Sequence, residues 1–195
     1  MKKLILVASP PACGKTYVSQ LIAKSVEHIV YLDKDDLAEL LGAAFAASGV
    51  PVDMDGTFYL ENLRTAEYTT ILNIAFSALQ FENLVILNAP FGKEVRDMEY
   101  MRALKERTNS IGAELLLIWV SVPEALWLER MKHRNSSRDT GKLQNWETYA
   151  KTVDHSPPAV LAEQKAVDRF LIFRNGGEEE VVRSLEETLN IILRE

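Results

Sequence analysis

The sequence predicts an α/β fold on a parallel sheet, and three observations carry that expectation. Short continuous apolar runs recur along the chain and alternate with helical patterns, as repeated βαβ units do. The first run, Leu4-Ile5-Leu6-Val7-Ala8, leads directly into Ser9-Pro10-Pro11-Ala12-Cys13-Gly14-Lys15-Thr16. That stretch ends in the Gly-Lys-Thr of a phosphate-binding loop and is followed at once by a helical pattern, the strand–turn–helix setting such a loop requires.

The expected strands are 3–8, 28–32, 84–88, 114–120 and 168–173. Most are unbroken Leu/Ile/Val runs, the mark of parallel strands buried on both faces. A helix from Lys15 to about Ser25 places Val18, Leu21 and Ile22 on one face. Gly49-Val50-Pro51-Val52-Asp53-Met54-Asp55-Gly56 is rich in breakers and reads as a loop. The longest helical pattern is 58–81, where Leu60, Leu63, Ile71, Ile74, Ala75, Ala78 and Leu79 recur at helical spacing. Pro123 is expected in the first turn of a helix over 123–134. Asn135 to Gly141 is short and polar and reads as a mobile segment. Asn175-Gly176-Gly177 stops the last strand, and 178–194 reads as an amphipathic helix.

Composition narrows the function classes. The chain has 195 residues, 47% of them hydrophobic and 26% charged, as expected for one globular α/β domain over 1–195 with a small lid near 130–145. A net charge of −6 makes a poor docking surface for long nucleic acid, whose binding is dominated by phosphate neutralisation. Cys13 is the sole cysteine, so no intrachain disulfide forms, and a reducing cytoplasmic setting is expected. The apolar run after Lys2 and Lys3 ends too soon for a signal peptide. No apolar stretch approaches the roughly 20 residues that span a bilayer, so no membrane partner is expected.

The loop chemistry follows from charge. Backbone N–H groups curled at a helix N-terminus point at phosphate oxygens, and the helix dipole adds to the attraction. Pro10 and Pro11 have no N–H, so the donors run from about Ala12 through Cys13, Gly14 and Lys15 to Thr16, with Tyr17 beside them. Gly14 lets the backbone come close, Lys15 bridges the terminal phosphates, and the Thr16 hydroxyl ligates Mg²⁺. Ser9 stands where the usual pattern has its first glycine and carries strain only if its φ must be positive. Cys13 has two readings, a small residue that fits or a thiol activated by the helix N-terminus. The first is favoured, because no resolving cysteine exists.

Other residues complete a site. The second strand ends in Asp33-Lys34-Asp35-Asp36, and ligands of open parallel sheets bind at the carboxyl ends of strands. These carboxylates either cap the helix that follows or act on a ligand. Asp35 is the first choice for the base that accepts a hydroxyl proton, and Asp33 for the metal and acceptor. Arg130 and Arg134 lie one helical turn apart, with Arg138 beyond. Such arginines either form a solvated face or clamp a transferring phosphoryl group, and their place beside the expected lid favours the clamp. Asn88 ends the third strand, where an Asp would commonly bind metal. It orients a ligand or water, and Mg²⁺ then rests on Thr16, phosphates and a second-strand Asp. Arg64, Glu67 and Asn62 of the long helix are candidates to line an acceptor site. His28, His133 and His155 show no metal-ligand spacing.

The phosphate loop, Asp33-Lys34-Asp35-Asp36 and Arg130…Arg134…Arg138-Asp139 together resemble the P-loop kinases related to polynucleotide kinase, zeta toxin, gluconate kinase and chloramphenicol phosphotransferase. The resemblance runs in order through most of the chain. It implies a three-layer fold with five parallel strands ordered 2-3-1-4-5, and ATP·Mg²⁺-dependent phosphorylation of a hydroxyl with Asp35 as base. It also implies phosphate contacts from Arg130, Arg134 and Arg138, and an adenine site near Arg174 to Gly177, including Gly176. Ala38 stands where polynucleotide kinases tend to carry an arginine, which argues against polynucleotide substrates. The leading expectation is a small-molecule kinase acting on a hydroxyl acceptor. Two alternatives stand beside it, a nucleotide-binding regulator or slow ATPase with a degenerate site, and a 5′-hydroxyl kinase of nucleic-acid ends.

Overall fold

A computed structural model of the chain describes residues 1–134 and 140–194. Its elements run β1 (Lys2–Ala8), α1 (Lys15–Lys24), β2 (Ile29–Asp33), a 3-10 turn (Lys34–Leu37), α2 (Ala38–Ser48), a π-helical turn (Tyr59–Leu63) and α3 (Arg64–Ala78). They continue with β3 (Leu84–Asn88), a second 3-10 turn (Glu94–Arg96), α4 (Met98–Asn109), β4 (Ala113–Ser121) and α5 (Glu124–Arg134). The short helices α6 (Thr140–Gln144), α7 (Trp146–Thr152) and α8 (Val160–Glu163) lead to β5 (Arg169–Arg174) and α9 (Glu178–Ile192).

The five strands form one parallel sheet in the order β2-β3-β1-β4-β5, the order that the family resemblance implies. β1 lies at the centre, in register with β3 through Leu4↔Val85 and with β4 through Leu4↔Leu115. Because successive side chains of a strand point to opposite faces, β1 serves two cores. Leu4, Leu6 and Ala8 pack with Tyr68, Ile71, Leu72 and Ala75 of α3 and Met101 and Leu104 of α4. Ile5 and Val7 pack with Val18 and Ile22 of α1, Trp127 and Met131 of α5 and Ile192 of α9. The unbroken apolar runs are thus explained by helices on both faces.

The chain passes from β1 outward to β2 and β3 on one side, then crosses to β4 on the other. That reversal opens a crevice at the carboxyl end of β1, where the phosphate loop lies.

Three boundaries differ from the sequence reading. The pattern over 58–81 resolves into a π-helical turn and then α3, ending at Ala78. The wider turn inserts one residue into the helical register, a device frequent at functional sites. Pro123 lies before α5, its carbonyl accepting the Trp127 N–H at 2.9 Å, so it caps the helix instead of sitting in its first turn. Of the segment expected to be mobile, 135–139 lie outside the described residues, and α6 begins at Thr140. A small third cluster joins Leu41, Phe45 and Tyr59, with Met54, Phe58 and Leu63 packed against it. Among the described residues, no helix is long and apolar enough to cross a membrane.

Candidate active site

Gly14 precedes α1 with φ 87, and Ala12 has φ 61, so the loop turns through two left-handed residues. Ser9 is not among the positive-φ residues, so replacing the usual glycine there costs no backbone strain. The strain falls instead on Ala12. A Cβ on Gly14 would overlap the side-chain amide of Asn175, so the glycine is required by packing as well as by φ. The loop is braced from three directions. Asn175 Nδ2 donates to the Cys13 carbonyl at 2.9 Å, Arg130 donates to the Asn175 carbonyl at 2.9 Å, and Trp127 Nε1 donates to the Pro11 carbonyl at 2.8 Å. Among the described residues, no protein acceptor engages the backbone N–H of Ala12, Cys13, Gly14, Lys15 or Thr16. The first turn of α1 also carries no acidic residue to offset its positive end. The loop is therefore set up to receive an anion.

Two cavities meet at this loop. One, of about 690 Å³, is lined by Gly14, Tyr17, Arg130 and Asn175 and by Val181 and Leu185 of α9. The other, of about 390 Å³, is lined by Lys15, Thr16, Asp33, Asp35, Arg64 and Arg134, among others. Arg130 and Arg134, one turn apart on α5, are thus divided between the two. Arg138 lies outside the described residues. Arg174 is exposed and lines neither cavity, its backbone N–H going to Ser184 Oγ at 3.0 Å. The neighbouring Gly176 N–H donates to Glu180 at 3.2 Å. Asn175 and Gly177 line the larger cavity in their place. Asn62 is exposed and donates to the Phe58 carbonyl at 3.0 Å, away from both.

The carboxyl ends of β1, β2 and β3 bring Thr16, Asp33 and Asn88 together. Asn88 Nδ2 donates to Asp33 Oδ2 at 2.7 Å and to Thr16 Oγ1 at 3.0 Å, and Tyr31 donates to Asp33 Oδ2 at 2.9 Å. A carboxylate only accepts, so its contact fixes the Asn88 amide with nitrogen toward Asp33. Asn88 Oδ1 is then left buried with no partner. An orphaned buried acceptor beside a carboxylate and a hydroxyl suits a hydrated cation, whose bound water donates to it. Among the described residues, no three imidazole, thiol or carboxylate groups converge. The residues therefore fit a Mg²⁺ held chiefly by phosphate oxygens, with Thr16 and Asp33 beside it.

Asp33 has a second task. Its Oδ1 accepts the Asp35 N–H at 3.0 Å and caps the 3-10 turn that carries Asp35 into the cleft. Lys34, between the two aspartates, turns inward. Its ammonium lies 2.7 Å from Glu67 Oε1 and 3.3 Å from Asp35 Oδ1. Glu67 also accepts the Tyr59 hydroxyl, completing a buried triad behind the cleft. Arg64 is held bidentate by Glu94 at 2.6 and 3.0 Å and lies 4.5 Å over the Tyr68 ring. Lys34, Tyr59 and Glu94 were not singled out as site residues by the sequence reading, and Asn175 was covered only by the range from Arg174 to Gly177. A lysine inside an acidic run was the one visible signal. Burial of the others follows from tertiary packing that periodicity does not record.

Burial pushes the Lys15 ammonium below the ordinary lysine value, with Arg134 acting the same way and Asp35 and Asp33 opposing. Burial pushes the Cys13 thiol up to about 11, against the pull of Lys15 and Arg130. Cys13 stays protonated at neutral pH, so the reading of an activated thiol gives way to that of a small residue filling the loop.

A family profile described as an AAA domain matches residues 4–155. Among solved structures, a candidate kinase from Chloroflexus aurantiacus superposes with TM-score 0.67 at 19% identity, covering 97% of each chain. A sugar kinase from Janibacter sp. gives 0.59 at 13% identity, covering 98% of this chain and 95% of that one. A structure of the PezAT toxin–antitoxin system of Streptococcus pneumoniae gives 0.61 at 14% identity, covering 99% and 88%. No curated protein sequence matches the chain significantly. At these identities the structural likeness is one of fold, and the fold is that of the P-loop kinase group.

Proposed function

Because the chain belongs to the AAA domain family and folds as P-loop kinases do, we propose that it is an ATP-dependent kinase of a small-molecule hydroxyl. The supporting observation is the division of the crevice at Gly14. An apolar-walled cavity fits a nucleoside on one side, and a small charged cleft holds Lys15, Asp35 and Arg134 on the other.

In this reading the backbone N–H groups from Ala12 to Thr16 and the Lys15 ammonium hold the phosphates of ATP. Thr16 and Asp33 would hold Mg²⁺, which would supply charge neutralisation at the phosphates, and Asn88 would orient a water bound to it. Asp35 accepts the acceptor's hydroxyl proton as the oxygen attacks the terminal phosphorus, the bond from that phosphorus to the bridging oxygen breaks and ADP leaves, and Arg134 offsets the charge that spreads over the phosphoryl oxygens. Arg130 keeps the loop in shape from the nucleoside side. α6, whose Lys142 lies 3.0 Å from Asp55 across the cleft, serves as a lid that excludes water.

The test pairs ATP binding with transfer of labelled terminal phosphate to a panel of hydroxylated metabolites. The proposal expects micromolar-range binding that Lys15→Ala abolishes, and a labelled product. Tight binding without transfer would make the chain a nucleotide-dependent regulator. Transfer only to an RNA 5′-hydroxyl would make it a nucleic-acid-end kinase.

Lys15 gives a pH signature. Bound phosphates favour the ammonium and raise its pKa above the lowered value of the free protein. ATP affinity therefore falls as pH rises through that lowered pKa, before the ordinary lysine value of 10.5 is reached. Calorimetric titration over a series of rising pH reads this directly, and Lys15→Arg removes the dependence.

A further inference from the structure

The far wall of the smaller cleft points to the chemistry of the acceptor. Most charges there cancel within the protein. Lys34 is matched by Glu67, Arg64 by Glu94 and Lys142 by Asp55. Lys15 and Arg134 face the phosphoryl end, with Asp33 and Asp35 across from them. Lys93 is the cation left over. It lines the cleft and is exposed, and among the described residues it forms no ion pair.

The chain is bent to put it there. Phe91 has φ 49, left-handed for a bulky side chain, and is fully buried edge-on to Tyr68 with ring centroids 5.4 Å apart. Strain of this kind persists only where packing enforces it, and it clusters at ligand sites. The bend turns Gly92 and Lys93 toward the cleft, while Glu94 goes inward to fix Arg64. Two of the five Arg64 N–H donors are used on Glu94. The others remain for a ligand, in a side chain whose position is set by Glu94 and by the Tyr68 ring. Lys93 supplies net charge and Arg64 supplies directed donors, the pairing that recognises a carboxylate or phosphate.

Resting on the kinase reading, we propose that the acceptor is a small polyhydroxy compound that itself bears a carboxylate or phosphate. Lys93 and Arg64 hold that anion at one end of the cleft, while a hydroxyl meets Asp35 at the other. The apolar side chains of Met54, Leu60 and Tyr68 pack along its body.

Matched pairs test this on the full chain with a non-hydrolysable ATP analogue and Mg²⁺ present. They are glycerate and glycerol, gluconate and glucitol, and glucose 6-phosphate and glucose. The readout is the thermal shift and the calorimetric affinity of each compound. The expected result is that charged members bind and their neutral partners do not. Lys93→Ala then weakens the charged members by about tenfold or more. Lys93→Arg retains them, and affinity for the ATP analogue is unchanged in both. Carboxylate against phosphate members identifies which anion is preferred. The inference is overturned if neutral members bind as well as charged ones, if no charged member binds, or if Lys93→Ala leaves the charged members unaffected. Failure of the kinase reading looks different: the wild-type protein then either does not bind the ATP analogue, or binds ATP and transfers no labelled phosphate to any charged member it holds.

Discussion

Asp35→Asn is expected to slow phosphotransfer by about 10²–10⁴-fold, the range for loss of a positioned general base, while ATP affinity stays within about twofold. The substitution keeps the size of the side chain and the backbone N–H that Asp33 caps, so the 3-10 turn is preserved. What it removes is the proton acceptor. The Asp35 side chain is 68% exposed, so a ligand can reach it, and the Lys34 ammonium lies 3.3 Å away. Single-turnover measurement with the acceptor found by the metabolite panel separates the chemical step from binding. A rate within about threefold of wild type would reduce Asp35 to a turn residue and leave Asp33 as the remaining carboxylate.

Glu67→Ala is expected to cost about 3–5 kcal/mol of stability, and to lower Tm by about 10 °C in a domain of this size. The reason is what stays behind. The Lys34 and Glu67 side chains are 7% and 1% exposed, so removing the carboxylate leaves a buried ammonium with only the exposed Asp35 carboxylate, 3.3 Å away, as its partner. It also takes the acceptor from Tyr59, whose phenol is held neutral by burial and by its bond to Glu67. Replacing the pair together, Lys34→Met with Glu67→Leu, is expected to recover most of the loss, because no buried charge is then unmatched. Recovery of stability without recovery of turnover would show that Lys34 acts on Asp35. Denaturant unfolding of the two variants decides it, and equal losses in both would remove the triad from the account of stability.

The sequence was most legible where local chemistry repeats. Unbroken apolar runs marked each strand, and Gly14-Lys15-Thr16 marked the loop, because both patterns are set within a few residues. Strand order was not readable from periodicity, since β1 meets β3 and β4 through contacts about 80 and 110 residues away in sequence. It came from resemblance. Residues at strand ends were candidates because parallel sheets bind ligands there, and Thr16, Asp33 and Asn88 do come together at those ends. Spacing puts Arg130 and Arg134 one turn apart on a helix, yet it does not show that the loop divides them between two cavities. Glu67 was named as a residue lining an acceptor site, but its pairing with Lys34 escaped, because a buried charge leaves no trace when its partner is 33 residues distant. Lys93 escaped because a bend at Phe91 brings it to the cleft, and nothing in the residue types announces a positive φ at phenylalanine.

The bond from Trp127 to the Pro11 carbonyl has an optical consequence. The same indole lies 4.5 Å from the Trp146 ring and 4.1 Å from the His155 ring. It therefore touches the phosphate loop at its nitrogen and the segment after α6 at its faces and edges. Indole emission responds to the hydrogen bond at Nε1 and to quenching neighbours. On the kinase reading the chain thus carries its own dye beside the phosphate loop, and ATP binding is expected to change the colour and intensity of its emission with no label added.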